Sequence, residues 1–222
     1  MKHDFEYISK NSKEVKDAYS ELGNLINELQ DGVREYFTFK FYPVGSYKRN
    51  MITRDLKSNI GFDFDINIEV NDENDDYSPK EIKNILIEAL NRIVGKYGYD
   101  YPENSTRVIT IKVKDRKHSK IIHSCDFAIV NNYIDDEDND CQEYIRFNKK
   151  QNSYTWEDQP TGFYMLPEKI KWIKENNLWE EMKSLYIKNK NNNSDSHKHS
   201  RSIFADTVHK ICQQNDFPFD EY

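Results

Sequence analysis

The sequence predicts an α+β fold, in which a mixed β-sheet flanked by helices is followed by a helical C-terminal portion. Residues 62–70 alternate strictly, with apolar side chains at even positions and polar ones at odd positions, as in a strand with one buried face. Residues 13–37 carry apolar side chains at three- and four-residue steps, which is typical of an amphipathic helix. After residues 160–162 the pattern becomes helical. We therefore expect a sheet-containing domain over 1–160, including the N-terminal helix, and a helical portion over 161–222.

Local signals along the chain predict the remaining elements. Ser78 and Pro79 supply an N-cap and a first-turn proline for a helix that ends near Gly95. Residues 188–199 are polar and turn-prone, and they predict a loop before the last helix. The complete prediction is strands at residues 39–44, 62–70, 107–114 and 120–130, and helices at residues 13–37, 80–95, 167–176, 178–190 and 202–214.

Composition indicates a folded, cytoplasmic protein. Hydrophobic residues make up 36% and charged residues 32% of the 222 residues, while 15 Tyr and 12 Phe supply core volume. No apolar run approaches the roughly 20 residues of a membrane span, and no apolar signal region follows the first residues. Cys125, Cys141 and Cys212 are odd in number and lack a CxxC spacing, so we expect reduced, structural cysteines rather than disulfides or a zinc site.

The charge distribution argues against stable binding of DNA. The formal net charge is −7, so the whole protein offers no cationic field to a long nucleic acid. Acidic runs at 72–76 and 135–140 are interpreted as exposed loops, because neither has the spacing of an EF-hand. The basic stretch 107–120 could meet RNA, but a charged hairpin with alternate apolar residues facing inward is the favoured interpretation.

Three histidines are candidate ligands or bases. His197 and His199 lie two residues apart in the polar loop, where a surface position is favoured over a metal pair. His123 lies in an apolar run and is interpreted as a hydrogen-bonded core histidine.

Candidate catalytic residues lie on two predicted strands and in the turn before the first of them. Asp63 and Asp65 share the polar face of strand 62–70, with Cβ atoms roughly 6.5 to 7 Å apart, and like charges on one face favour a nearby cation. Asp-x-Asp also occurs by chance on half-exposed strands. Gly45 and Ser46 form a small turn upstream, where a close backbone approach and a hydroxyl suit phosphate. Asp126 interrupts an apolar run, and a buried carboxylate there requires a cation or an Arg.

The order of Gly45-Ser46, Asp63-x-Asp65 and an isolated strand Asp126 resembles the DNA polymerase β-type nucleotidyltransferase superfamily. The spacing from Ser46 to Asp63 and the later segment 156–160, with Trp156 and Pro160, are similar to the bacterial cyclic-oligonucleotide synthases (cGAS/DncV-like, CD-NTase), which are relatives of oligoadenylate synthase. The segment 202–208 resembles the Ser-opened helix of that branch more weakly. The resemblance covers about residues 40–165, and its specificity lies in motif order and strand context.

The resemblance implies a palm that binds two Mg²⁺ ions, which Mn²⁺ can replace, and transfers a nucleoside monophosphate from a nucleoside triphosphate such as ATP to a hydroxyl. Asp63 and Asp65 would hold the metal on the triphosphate. Asp126 would join them on the second metal and help to activate the acceptor hydroxyl. The phosphates would be contacted by Gly45, Ser46 and Ser202, with positive charge from Lys48, Arg49, Lys57 and Lys198.

The favoured product is a cyclic or linear oligonucleotide second messenger, and relatives serve in antiviral defence, where an RNA or protein trigger is expected. The portion after Asp126 is shorter than the helical half of a full cyclic-oligonucleotide synthase. Transfer to RNA, to a protein or to a small molecule therefore stays open, as does a nucleotide-binding module without turnover. The acids do not encode the acceptor, the nucleobase or the oligomeric state.

Overall fold

The computed structural model describes residues 3–72, 74–159, 165–195 and 198–218. The chain divides into two compact units. The sheet unit comprises residues 8–53 and 59–159, and the helical unit comprises residues 1–7, 54–58 and 160–222. The predicted division into 1–160 and 161–222 stays a prediction, because its boundary lies outside the described residues.

A mixed sheet of seven strands organises the sheet unit. Its central path runs β2 (Thr38–Pro43), β4 (Phe62–Asn71), β7 (Lys120–Ile134), β6 (Val108–Asp115) and β5 (Glu103–Asn104). Strands β4 and β7 are parallel, whereas β2 pairs antiparallel with β4 and β6 pairs antiparallel with β7. The far end of β7 pairs with β8 (Asp140–Asn148), which pairs with β9 (Ser153–Asp158). The predicted α+β fold with a mixed sheet is confirmed.

Two long helices pack with the sheet in one hydrophobic core. Ser12 is the N-cap of helix α1 (Lys13–Val33), and its side chain accepts a hydrogen bond from the backbone N–H of Val15. Helix α3 (Pro79–Ile93) begins at Ser78, which forms a capping box with Glu81, and a 3₁₀ turn at Val94–Tyr97 follows it. The core joins Leu22 and Leu25 of α1 and Leu86 and Leu90 of α3 to apolar side chains of the sheet, and Phe64, Ile66, Ile109, Ile111 and Phe127 of the sheet are nearly or fully buried.

The segment between β2 and β4 contains the short helix α2 (Gly45–Lys48) and strand β3 (Thr53–Asp55). Residues 54–58 of this segment belong to the helical unit. Sequence reasoning did not predict β3, β5, β8 or β9. The run predicted as an exposed loop at 135–140 is exposed except at Asp135, and Asp140 begins β8. The three cysteines are free, and Cys125 and Cys212 are buried.

The helical unit contains β1 (Phe5–Tyr7), which pairs with β3, and helices α4 (Leu166–Glu175), α5 (Trp179–Asn192) and α6 (Ser200–Gln214). Asn191 of α5 exchanges two hydrogen bonds with the backbone of Phe5, and the Tyr7 hydroxyl donates to the carbonyl of Lys183 at 2.8 Å. These bonds fasten β1 to α5. None of the helices in the described part of the chain is long and apolar enough to cross a membrane.

The basic hairpin forms as favoured, with Ile109 and Ile111 buried. Three of its basic residues are paired with acids. Lys114 and Arg116 both reach Asp100, at 2.8 and 2.6 Å, and Lys112 reaches Glu103 at 2.6 Å. The charged hairpin that the sequence favours therefore forms, and contact of this hairpin with RNA stays a prediction.

Candidate active site

The three predicted carboxylates lie on one face of two adjacent parallel strands. Asp63 and Asp65 are on β4 and Asp126 is on β7, with Asp65 opposite Asp126 in the register and Asp63 opposite Ser124. Neighbouring strands are about 4.8 Å apart, so Asp65 and Asp126 are direct neighbours across the pair. The intervening side chains face the core on the other side of the sheet. The alternation of β4 and its parallel register with β7 thus place all three acids on the same face of the sheet.

Negative charge accumulates at this face. Burial, reinforced by the carboxylates of Asp63 and Asp126, raises the pKa of Asp65 to about 6, although Arg49 and a backbone hydrogen bond from Ser46 oppose the rise. Burial also raises the pKa of Asp126. The pKa of the buried Cys125 thiol is raised well above its ordinary value by burial and by the fields of the three aspartates. A cation bound at this face would lower the free energy of the ionised carboxylates.

Gly45 brings the upstream turn directly against Asp65. Its φ angle is +58°, and a Cβ atom at this position would stand 1.9 Å from Oδ2 of Asp65. The backbone N–H of Ser46 donates to the Asp65 carboxylate, and the N–H of Val44 donates to the Asp65 carbonyl at 2.9 Å. A glycine is therefore required here both for the left-handed backbone and for the close approach.

Tyr47 anchors this turn to the core. Its ring stacks on Tyr19 of α1 at 4.3 Å between centroids and meets Phe64 of β4 edge-on at 5.4 Å. Phe64 lies between Asp63 and Asp65, so the same aromatic cluster supports the turn and the acidic strand. Sequence reasoning did not identify Tyr47, because its role depends on the contact between α1, α2 and β4.

The donor set suits a hard divalent cation. Carboxylate oxygens are the ligands that Mg²⁺ prefers. Burial, with a smaller contribution from the neighbouring carboxylates, raises the pKa of Asp65, and a bound cation would oppose that rise. Within the described residues, no three Asp, Glu, His or Cys side chains converge as a formed metal site. The Asp65 carboxylate instead lies against the Gly45–Ser46 turn, where it accepts a hydrogen bond from the Ser46 N–H. The residues fit Mg²⁺ in chemistry, and Asp63, Asp65 and Asp126 are those that would hold it.

The other predicted nucleotide contacts divide between the units. Lys48 is exposed at the end of α2 in the sheet unit. Lys57, Lys198 and Ser202 belong to the helical unit, where Lys198 pairs with Asp206 at 2.5 Å and Ser202 is exposed on α6. Their roles stay predictions. In the segment 156–160, Pro160 lies outside the described residues, as does His197.

Sequence reasoning also missed polar groups beside Asp126. Thr110 of β6 lies opposite Asp126 in the register, and its hydroxyl donates to Asp126 Oδ1 at 2.5 Å. Lys112, two residues further along β6, lowers the pKa of Asp126 through its charge, and Glu103 of β5 raises it. Extending the alternation of the hairpin would have placed Thr110 and Lys112 on the acidic face, because Ile109 and Ile111 take the buried face.

His123 is the buried, hydrogen-bonded histidine that the sequence predicts. Its Nε2 lies 3.1 Å from the Tyr99 hydroxyl, and its ring stacks on Phe62. It lies on the core side of β7, whereas Asp126 lies on the opposite face, so it takes no part in the acidic site.

The fold was compared with known structures. Crystal structures of Vibrio cholerae DncV match with GTP bound (TM-score 0.55, 16% identity, 87% of this chain and 51% of that chain) and with 3′-deoxy ATP bound (TM-score 0.56, 15% identity, the same coverage). A third is DncV cyclic AMP-GMP synthase with the linear intermediate 5′ pppA(3′,5′)pG (TM-score 0.54, 14% identity, 87% and 53%).

This chain has the fold of DncV. The predicted cGAS/DncV-like relationship is therefore confirmed at the level of fold. The chain spans about half the length of the DncV structures that it matches. No protein-family model matches the sequence, and no curated protein matches it significantly.

Proposed function

We propose that this chain is a Mg²⁺-dependent nucleotidyltransferase that moves a nucleoside monophosphate from a nucleoside triphosphate to a hydroxyl, with a cyclic or linear oligonucleotide as the favoured product. The observation that carries the proposal is the pairing of Asp65 with Asp126 on adjacent parallel strands, against a glycine turn, in a DncV-like fold. DncV has been captured with nucleoside triphosphates and with a linear dinucleotide intermediate, which supports the same substrate class here.

The reaction balances as a displacement at the α-phosphorus. The oxygen of the acceptor hydroxyl forms a new bond to the α-phosphorus, the bond from that phosphorus to the bridging oxygen of the β-phosphate breaks, and pyrophosphate leaves. Asp63, Asp65 and Asp126 would hold Mg²⁺, which when bound would supply charge stabilisation for the attacking and leaving oxygens. Asp63 and Asp65 orient the triphosphate side of the site, and Asp126 holds the acceptor side, where it assists removal of the hydroxyl proton.

The Gly45–Ser46 turn contributes to substrate positioning. The backbone N–H of Ser46 donates to the Asp65 carboxylate, so Ser46 lies beside the acids, where its N–H and hydroxyl would be available to triphosphate oxygens. Lys48, on the same short helix, adds an exposed positive charge. In this proposal the turn and β4 hold the donor nucleotide, and β7 with β6 holds the acceptor.

The test is product formation from α-labelled nucleoside triphosphates, alone and mixed, with Mg²⁺ or Mn²⁺ and with or without RNA. We expect the double substitution Asp63→Ala/Asp65→Ala to lower turnover by about 10³-fold or more, because metal charge stabilisation is worth several kcal/mol. The matched control is Asp136→Ala/Glu137→Ala, which removes two carboxylates from an exposed turn and should leave turnover unchanged.

The nature of the product separates the alternatives. Small phosphatase-resistant products that the double substitution abolishes support oligonucleotide synthesis. Label retained on RNA or on protein would assign the chain to acceptor transfer instead. Metal-dependent nucleotide binding with no product under any of these conditions would favour either an enzyme that requires a further trigger or a binding module without turnover.

A further inference from the structure

Thr110 lies in direct contact with one of the three proposed catalytic acids. It is on β6, opposite Asp126 of β7 in the antiparallel register, and both side chains are partly buried. Its hydroxyl donates to Oδ1 of Asp126 at 2.5 Å, which is short for a hydrogen bond between a hydroxyl and a carboxylate. This bond links a neutral side chain on one strand to the acidic face of the next.

A fixed donor matters because a carboxylate is poorly held by its own torsion. The terminal torsion of Asp is broad and roughly two-fold, so an unrestrained Asp126 carboxylate samples many orientations. Thr is β-branched and stiff at χ1, and Thr110 lies within strand β6, so its hydroxyl is a well-placed donor. A hydrogen bond to Oδ1 restricts rotation of the carboxylate about its Cβ–Cγ bond.

The charges around Asp126 do not provide the same restraint. Lys112 is the nearby cation on β6, but its ammonium group is bonded to Glu103 Oε2 at 2.6 Å, and Glu103 opposes its effect on Asp126. On the β4 side the neighbour is Asp65, which repels Asp126. The Thr110 hydroxyl is therefore the contact that orients Asp126 rather than only altering the potential around it.

We propose that Thr110 is a positioning residue, whose hydroxyl holds Asp126 in the orientation needed to bind the acceptor-side cation of the reaction. This inference rests on the proposed function. Hydrogen bonds to metal-ligating side chains typically contribute 10- to 100-fold in metal affinity or activity. Loss of this one should weaken the cation site without altering the sheet.

The experiment compares Thr110→Val, which keeps the shape and removes the donor, with Thr110→Ser, which keeps the donor. Binding of Mn²⁺ is followed by electron paramagnetic resonance in the presence of a non-hydrolysable nucleoside triphosphate, and kcat is measured separately. We expect Thr110→Val to weaken Mn²⁺ binding and lower kcat by about 10- to 100-fold. Thr110→Ser should remain close to the unsubstituted protein. Thr155→Val, an exposed threonine on β9, is the matched control.

Each result decides the question. If Thr110→Val binds Mn²⁺ and turns over like the unsubstituted protein, while Asp63→Ala/Asp65→Ala is inactive, the role of Thr110 is wrong and the proposed function stands. If Thr110→Ser loses as much as Thr110→Val, packing rather than the hydroxyl is responsible, and the inference also fails. If the unsubstituted protein neither binds Mn²⁺ with nucleotide nor forms product, both proposals are overturned. Thr110→Ala provides a second donor-free variant should Thr110→Val not fold.

Discussion

At the scale of single residues, Gly45 is a tightly constrained position beside the acids. Its backbone is in the left-handed region, at φ +58°, and the space where a Cβ would stand is filled by the Asp65 carboxylate. By contrast, Gly23 lies within α1, and a Cβ there would have no neighbour within 4 Å. The two glycines therefore offer a matched comparison between a position that excludes a side chain and one that merely lacks it.

We predict that Gly45→Ala destabilises the protein by about 1 to 3 kcal/mol and lowers nucleotidyl transfer, because the methyl group displaces Asp65 and strains the turn. Gly23→Ala should instead stabilise by roughly 0.5–1 kcal/mol, since Ala is the better helix former. Urea unfolding measures the free energy of unfolding of both variants. Product formation measures nucleotidyl transfer by Gly45→Ala. Unchanged turnover in Gly45→Ala would show that the approach of the turn to Asp65 is not needed for catalysis.

At the scale of elements, the two faces of β7 differ: one packs in the core and the other carries a proposed catalytic acid. Asp126 lies on the acidic face, while His123, Cys125 and Phe127 are buried on the other. Burial lowers the pKa of His123 to about 4, so the imidazole is neutral in the folded protein near neutral pH. A substitution of His123 on the core face therefore tests how this residue makes folding stability depend on pH.

His123 should make folding stability fall as the solution is acidified. The unfolded chain takes up a proton near the ordinary pKa of 6.5, whereas the folded chain does so only near pH 4. The contribution of His123 to the free energy of unfolding, about 3 kcal/mol, is thus present above pH 6.5 and lost between these two values. His123→Gln should flatten this part of the profile, measured by urea unfolding between about pH 7 and pH 4.5.

The control for this profile is His118→Gln, which removes an exposed histidine from the turn between β6 and β7. It should follow the unsubstituted protein. Parallel loss of stability in His123→Gln and the unsubstituted protein would mean that other groups, not His123, dominate the acid response.

Elements with strong local signals were predictable from the sequence, and elements defined by pairing were not. Strand β4 alternates cleanly, and α3 carries a capping box, so each was placed within two residues of its observed ends. Strands β8 and β9 have mixed burial along their length and follow an acidic turn, so no periodicity marked them. Asp63, Asp65 and Asp126 are conspicuous in the sequence because they are charged residues on apolar strands, and their role in a site stays a prediction. Thr110 is neutral, and its contact with Asp126 exists only through the register of β6 with β7.

At the scale of the whole molecule, the charge distribution supports the proposed nucleotide substrate. A net charge of −7 opposes binding of long polyanions, and several basic residues of the β6–β7 hairpin are already paired with acids. Burial raises the pKa of Asp65 and of Asp126 on the acidic face, and a bound cation would favour their ionised forms. A small anionic substrate that arrives with its own divalent metal fits this distribution better than a nucleic acid does. Ligand binding should therefore be detectable as a stabilisation of the folded protein that requires metal.

We predict that a nucleoside triphosphate with Mg²⁺ or Mn²⁺, at about 100 times its Kd, stabilises the folded protein by about 2.7 kcal/mol. For a chain of this length that corresponds to a rise of roughly 5 to 10 °C in Tm. Nucleotide without metal should give a smaller shift, because the triphosphate then meets unscreened carboxylates. Differential scanning fluorimetry with each of the four triphosphates also reports base preference. If the two units unfold separately, the shift should include the transition of the sheet unit, which carries the acids.

Asp63→Ala/Asp65→Ala distinguishes a metal-bound substrate from a general effect of nucleotide on the fold. The double substitution should abolish the metal-dependent part of the shift, since the proposed ligands of the triphosphate metal are gone. The Asp136→Ala/Glu137→Ala control changes the net charge equally and should retain the full shift. Equal shifts in both variants would place nucleotide binding away from β4 and would contradict the assignment of the acidic face as the substrate site. The absence of any shift with all four triphosphates and both metals would contradict nucleotide binding itself.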